Sequence, residues 1–174
     1  MPDKTPAVSL ALLFLAAAAL LGLYLLRSPP AGGQPVEAEF VLIDGRRLHL
    51  GQLRGRPVLV NFWATSCRLC IKEIPHLKAL YRELAPRGLE LIGVAMPYDP
   101  PDRVLIYARA QELPYPVALD VEGKVLRAFG GVRGTPTIFL VAPEGHVVLR
   151  ATGKLELPRL RRRIEKYLNP RRNL

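Results

Sequence analysis

The chain has 174 residues, with 25 Lys and Arg against 15 Asp and Glu for a formal net charge of +10, and only two cysteines. Two cysteines cannot staple a disulfide-rich mini-fold or alone complete a four-ligand structural zinc site, so any cysteine chemistry rests on that one pair. From Glu37 onward 138 residues remain, enough for a single domain with an unstapled hydrophobic core.

After a short flank, 1–4, the first segment is apolar. Between Lys4 and Arg27 lie 22 uncharged residues dominated by Leu and Ala. As a helix they would measure roughly 33 Å, enough for the hydrocarbon core of a bilayer. A cleaved signal peptide has a shorter apolar region and a small-residue cleavage site. Here Leu23-Tyr24-Leu25-Leu26-Arg27 closes the run with no Ala-x-Ala after it, and Cys67 is the first cysteine, so a lipid-modified leader cysteine is excluded. Residues 5–26 are therefore expected to be an uncleaved transmembrane anchor, with a cleaved signal as the alternative. Lys4 and Arg27 give each flank one basic side chain, so charge does not decide the orientation.

Residues 27–36, with several Pro and Gly, read as a linker. A folded domain is expected over 37–168 and a basic tail over 169–174. Segments 39–43 and 46–50 flank Asp44-Gly45 and predict a hairpin. The continuous apolar run 57–63 predicts a central strand covered on both faces. A helix is expected from Cys67 to about Leu84, then a second buried strand over 89–95. Residues 96–101 form an insertion leading into a helix over 102–112, with Asp102 as its expected cap, and a helical pattern resumes around 124–129. Segments 137–141 and 146–150 flank Pro143-Glu144-Gly145 as an antiparallel pair, and Leu157, Leu160, Ile164 and Leu168 place an apolar stripe on a final helix. Strands alternating with helices before a terminal hairpin predict an α/β domain, a mixed sheet with helices on both faces.

The chemical signal is Cys67-Arg68-Leu69-Cys70, at the junction of a buried strand and a helix. A thiol at a helix N-terminus meets unpaired backbone N–H groups and the positive end of the helix dipole, and Arg68 adds a full positive charge; all three favour thiolate. Cys67 is thus the expected nucleophile. Cys70, one turn further in, is placed to attack a mixed disulfide on Cys67 and release the reduced partner. Inert buried thiols and half of a metal site are the alternatives that the spelling leaves open.

The run from Phe62 to Cys70 (FWATSCRLC), followed by Glu73-Ile74-Pro75 and later by Gly134-Thr135-Pro136-Thr137, resembles the TlpA-like branch of the thioredoxin superfamily over roughly 37–168. That branch comprises membrane-tethered or exported thiol-disulfide oxidoreductases, including those that serve cytochrome c maturation. The resemblance implies a thioredoxin fold with an N-terminal β-hairpin extension and a central insertion. It implies Cys67 attacking, Cys70 resolving and Pro136 in cis beside them, with an ordinary trans strand-entry proline as the alternative. Trp63, Ser66, Arg68 and Thr135 become candidate substrate contacts, and a redox-active Cys67–Cys70 disulfide stands in place of any bound cofactor or metal.

Glu73 lies about 60° round the helix from Cys70, at the border of the face that carries Cys67, Cys70, Ile71 and Ile74, where a carboxylate is half buried. Some TlpA-like reductases have a glutamate here that manages the thiol protons; a solvated glutamate paired with a neighbouring Lys or Arg is the alternative. Asn61 occupies the strand position where thioredoxins proper have a buried aspartate. Ser66 stands where many relatives have a second Trp, and Leu69 replaces the proline of thioredoxin itself. Pro75 is expected to kink the helix.

The implied protein is a monomeric, single-pass protein of a bacterial cytoplasmic membrane, its domain in the periplasm. It would reduce disulfides of exported proteins, apocytochrome c or copper-site cysteines among them, and be recharged by a membrane electron-donor thiol protein. Copper delivery through the same cysteines is the alternative, followed by a thiol peroxidase, whose Pro-x-x-x-Thr-x-x-Cys signature ends at neither cysteine. His76 and Met96 read as an exposed helix imidazole and a core thioether rather than copper ligands. From Arg150 onward nine basic residues face two acids, either a solvated face or one drawn to anionic lipid. No nucleic-acid motif accompanies them, and no nucleic-acid partner is expected.

Overall fold

The apolar run that ends at Trp63 is buried along its whole length, and the rest of the domain is arranged around it. The computed structural model describes residues 34–168, so the expected anchor at 5–26, most of the linker and the tail at 169–174 lie outside the described residues. In chain order the elements are β1 (Glu39–Leu42), β2 (Arg47–His49), a 3-10 turn (Leu50–Leu53), β3 (Val58–Trp63), α1 (Arg68–Leu84), β4 (Glu90–Ala95), α2 (Pro101–Ala110), β5 (Val117–Leu119), α3 (Lys124–Ala128), β6 (Thr137–Val141), β7 (Val147–Thr152) and α4 (Leu157–Leu168). Among the described residues the strands form one sheet in the order β2-β1-β5-β4-β3-β6-β7. β3, β4 and β5 run parallel, as helical crossovers require, while β6 lies antiparallel to β3 and β1 antiparallel to β5.

Side chains alternate across a strand, so Leu59, Asn61 and Trp63 of β3 face one way and Val58, Val60 and Phe62 the other. The first face packs against α1, α2 and α4, which supply Cys70, Ile74, Leu77, Val104, Leu160 and Ile164. The second is covered by α3 and the 3-10 turn, and β1 extends it with Phe40 and Leu42. At its centre Phe62 meets Phe129 and Phe139 edge-on, both at 5.7 Å between ring centroids. Helices thus cover both faces, as the alternating pattern predicts. Arg161 of α4 grips both carboxylate oxygens of Glu83 on α1, and this hydrogen bonding holds the Glu83 carboxyl below its ordinary range. The pair is at the surface, so it contributes more to alignment of the two helices than to stability.

Two features differ from the sequence reading. β5 was not anticipated: it has three residues, flanked by Pro114, Pro116 and Asp120, too few to show a period, and it exists because β4 and β1 each offer it a hydrogen-bonding edge. Asp102 does not cap α2. Pro100 holds the cap position and Pro101 opens the helix, where a ring-fixed φ and a missing N–H carry no penalty; Asp102 lies in the first turn without a capping bond.

Gly93 on β4 pairs with Asn61 on β3, and a Cβ there would stand 3.2 Å from Trp63 Nε1 and 3.3 Å from Tyr115 Cε2. Gly93→Ala is therefore expected to lower stability by about 1–3 kcal/mol in urea unfolding and to change the emission of Trp63, the only tryptophan. Wild-type stability and emission would mean that the indole yields without loss.

Candidate active site

β3 stops at Trp63 and α1 starts at Arg68, so a loop of three residues, Ala64 to Ser66, delivers Cys67 to the cap of the helix. Cys67 has an extended backbone (φ −85°, ψ 101°), and its Sγ accepts a hydrogen bond from the Cys70 N–H at 3.1 Å. Helix geometry leaves that N–H without an intrahelical acceptor, so it is free to point at sulfur. The two cysteines form a disulfide, with their Cα atoms 5.2 Å apart. Cys67 is half-buried between exposed Ser66 and Arg68, whereas Cys70 is only 2% exposed. An incoming thiolate can reach one sulfur and not the other. That N–H is positioned to donate to Cys67 Sγ and not to the sulfur of Cys70.

The Thr135–Pro136 peptide is cis. β6 begins with Thr137 opposite Phe62, so the register carries Thr135 and Pro136 level with Trp63 and Ala64, at the end of the sheet where Cys67 sits. Thr137 Oγ1 donates to Gly134 O at 2.6 Å, and Gly153 N–H donates to Pro136 O at 2.8 Å, which fixes this loop from both sides. Thr135 remains half-exposed. Trp63 is a correction to the candidate substrate contacts: it is fully buried, its ring 5.5 Å from that of Tyr107, and so forms the floor of the site rather than its surface. Its position at the end of a strand buried on both faces is the reason.

Glu73 is more deeply placed than a border carboxylate. It is 6% exposed, and its Oε1 accepts a long hydrogen bond, 3.4 Å, from Leu155 N–H in the turn between β7 and α4. It makes no ion pair among the described residues, so the reading as a solvated, Lys- or Arg-paired glutamate does not hold. Asn61 is buried on the same face of the sheet, with Oδ1 lacking a hydrogen-bond partner among the described residues. An amide cannot take up a proton as a carboxylate does, which leaves Glu73 as the buried group on the α1 side suited to that task. His76 is exposed on α1, while Met96 lies in the core of the opposite face of the sheet.

The sequence reading missed Asp99. Its carboxylate is 5% exposed and accepts hydrogen bonds from both the N–H and the Oγ1 of Thr65, each at 2.6 Å. An aspartate beside two prolines in an insertion reads as a solvated turn, and no local pattern ties it to a residue 34 positions earlier.

The profile of the AhpC/TSA family matches residues 34–150. Thiol-disulfide oxidoreductase ResA of Bacillus thuringiensis subsp. konkukian is 32% identical over 127 residues, which cover 72% of this chain and 69% of that protein. The chain belongs to the AhpC/TSA family, in its TlpA-like thiol-disulfide oxidoreductase branch. ResA of Bacillus subtilis is 36% identical over 118 residues, covering 67% of this chain and 65% of the relative. Among solved structures, the thioredoxin-family thiol:disulfide interchange protein of Chlorobium tepidum superposes with a TM-score of 0.70 at 29% identity, over 79% of this chain and 99% of that one. The fold of this TlpA-like oxidoreductase is accordingly the thioredoxin fold, with a mixed sheet and helices on both faces. Its Cys67–Cys70 pair is the dithiol that such an oxidoreductase exchanges.

Proposed function

We propose that this protein is a membrane-anchored reductase acting outside the cytoplasm on disulfides of exported proteins, with the oxidised Cys-x-x-Cys-His haem-attachment segment of an apocytochrome c as the first substrate class and copper-site cysteines as the second. The observation that supports the roles of the two sulfurs is their unequal exposure together with a buried carboxylate on the helix turn after Cys70. Cys67 thiolate attacks one sulfur of the substrate disulfide, forming a mixed disulfide and expelling the other substrate sulfur as a thiolate. Cys70 gives its proton to Glu73 and attacks Cys67 Sγ, which closes the Cys67–Cys70 disulfide and expels the second substrate sulfur. Two electrons pass from the dithiol to the substrate, and a membrane thiol donor returns them. Exposed Ser66 and Arg68 flank Cys67 in the chain, and half-exposed Thr135, next to buried Pro136, lies at the same end of the sheet; these are the residues an extended substrate segment would meet.

In this reading the anchored domain acts as a monomer, with Cys67, Cys70 and Glu73 supplied by one chain. The apolar segment 5–26 supplies the anchor, and long domains translocate largely regardless of nearby charge. External protease added to intact spheroplasts is expected to digest the domain together with a periplasmic control. A domain that survives while the control is lost would place it on the cytoplasmic side. In parallel, the reduced protein is expected to reduce an oxidised Cys-x-x-Cys-His peptide faster than a scrambled disulfide peptide; equal rates would remove apocytochrome c as the preferred substrate.

A further inference from the structure

The insertion between β4 and α2 holds a buried carboxylate that the exchange reaction does not use. A carboxylate taken out of water must be compensated by strong donors. For Asp99 both come from one residue, Thr65, whose N–H meets Oδ2 and whose Oγ1 meets Oδ1. Thr65 stands two positions before Cys67, in the loop that carries the nucleophile to the helix cap. The insertion side of this link is itself fixed. Asp99 N–H donates to Met96 O at 2.9 Å, Met96 N–H donates to Trp63 O at 2.9 Å, and Pro100 and Pro101 lead directly into α2. On the other side, Cys67 N–H donates to Ala64 O at 3.1 Å, so the loop has little freedom left once Thr65 is held.

We propose that Asp99 is a positioning residue for Cys67: by binding both donors of Thr65 it keeps the Ala64–Ser66 loop in place, so that Cys67 Sγ stays on the Cys70 N–H after the disulfide opens. In the oxidised protein the S–S bond holds Cys67 in any case. In the dithiol and in the mixed disulfide that covalent restraint is gone. The single N–H donor to Cys67 Sγ at 3.1 Å then depends on the loop, and a hydrogen bond weakens steeply as its angle and length drift. The same drift would misalign Cys67 for the attack by Cys70, which requires near-attack geometry. The inference rests on Cys67 as the nucleophile, and equal trapping of partners by the two cysteine variants would remove that premise by a separate result.

Two pairs of variants in the full-length protein separate the bonds from the charge. Asp99→Asn and Asp99→Ala both remove the charge, but the amide can still accept from Thr65 N–H and donate to Thr65 Oγ1, whereas alanine does neither. Thr65→Ser keeps the hydroxyl and Thr65→Val replaces it with a methyl of similar size. The readouts are the rate of Cys67 carbamidomethylation in the reduced protein at one fixed pH and the equilibrium with dithiothreitol, neither of which a purely structural role would move. Asp99→Ala is expected to react about tenfold more slowly than Asp99→Asn. Its equilibrium with dithiothreitol should shift about tenfold toward the disulfide, which is about 30 mV for a two-electron couple. Thr65→Val should fall below Thr65→Ser in the same direction. Equal rates and equilibria within either pair overturn the proposal, and if Asp99→Ala does not fold the Thr65 pair decides alone.

Discussion

Cys70→Ser is expected to accumulate mixed disulfides between Cys67 and its partners, while Cys67→Ser traps at least about tenfold less and both variants lose turnover. The reason is geometric. Cys67 stands half-buried at the cap of α1, with a backbone N–H on its sulfur, whereas Cys70 is 2% exposed beneath it. An external disulfide can approach the first sulfur and not the second. Without Cys70 the intermediate has no internal thiol to close on, so it persists and can be recovered on a non-reducing gel. Without Cys67 the remaining thiol is enclosed by the α1 side of the core, where Trp63, Ile74 and Leu77 belong to the same cluster. Equal recovery from the two variants would reverse or abolish the assignment of roles.

Glu73→Gln is expected to form the first mixed disulfide at nearly the wild-type rate and to resolve it about 100-fold more slowly, the range over which a positioned general base acts. The substitution preserves shape and an acceptor for Leu155 N–H while removing the ability to take a proton from Cys70. Stability should stay level or rise, because a buried amide with one hydrogen bond is less costly than a buried carboxylate with one hydrogen bond and no cationic partner among the described residues. A group retained at the expense of stability is what a proton carrier would look like. Stopped-flow reduction of a disulfide peptide, with attack and release followed separately, reads the two steps, and thermal unfolding reads the stability. Unchanged release would reduce Glu73 to an acceptor for the β7–α4 turn.

Much of the site could be read without coordinates because its signals are local. A continuous apolar run followed by Cys67-Arg68-Leu69-Cys70 and a helical stripe places the pair at a strand-to-helix junction through chain connectivity alone, and β3 and α1 lie where that pattern puts them. The same holds for the β6–β7 pair, since a short turn leaves its flanking strands only one way to meet. The burial of Glu73 was legible only as a border position, because its depth depends on the turn at Leu155, 82 residues away. Trp63 could be located on its strand but not recognised as floor rather than surface, since Tyr107 arrives over it from α2.

What the sequence by itself determined is the reaction centre and the class of fold: residue types in a strand-loop-helix order fix which thiol caps the helix, and covalent adjacency needs no tertiary contact to do so. What only the tertiary structure decided is the surroundings of that centre: β5 as a strand between β4 and β1, Asp99 bound to Thr65, and Glu73 closed in by the β7–α4 turn. Each of these rests on hydrogen bonds between segments apart in the chain, formed because folding removes water and leaves polar groups only the partners nearby. Periodicity and spacing carry no record of that partner, so it emerges only when the sheet and its helices are assembled.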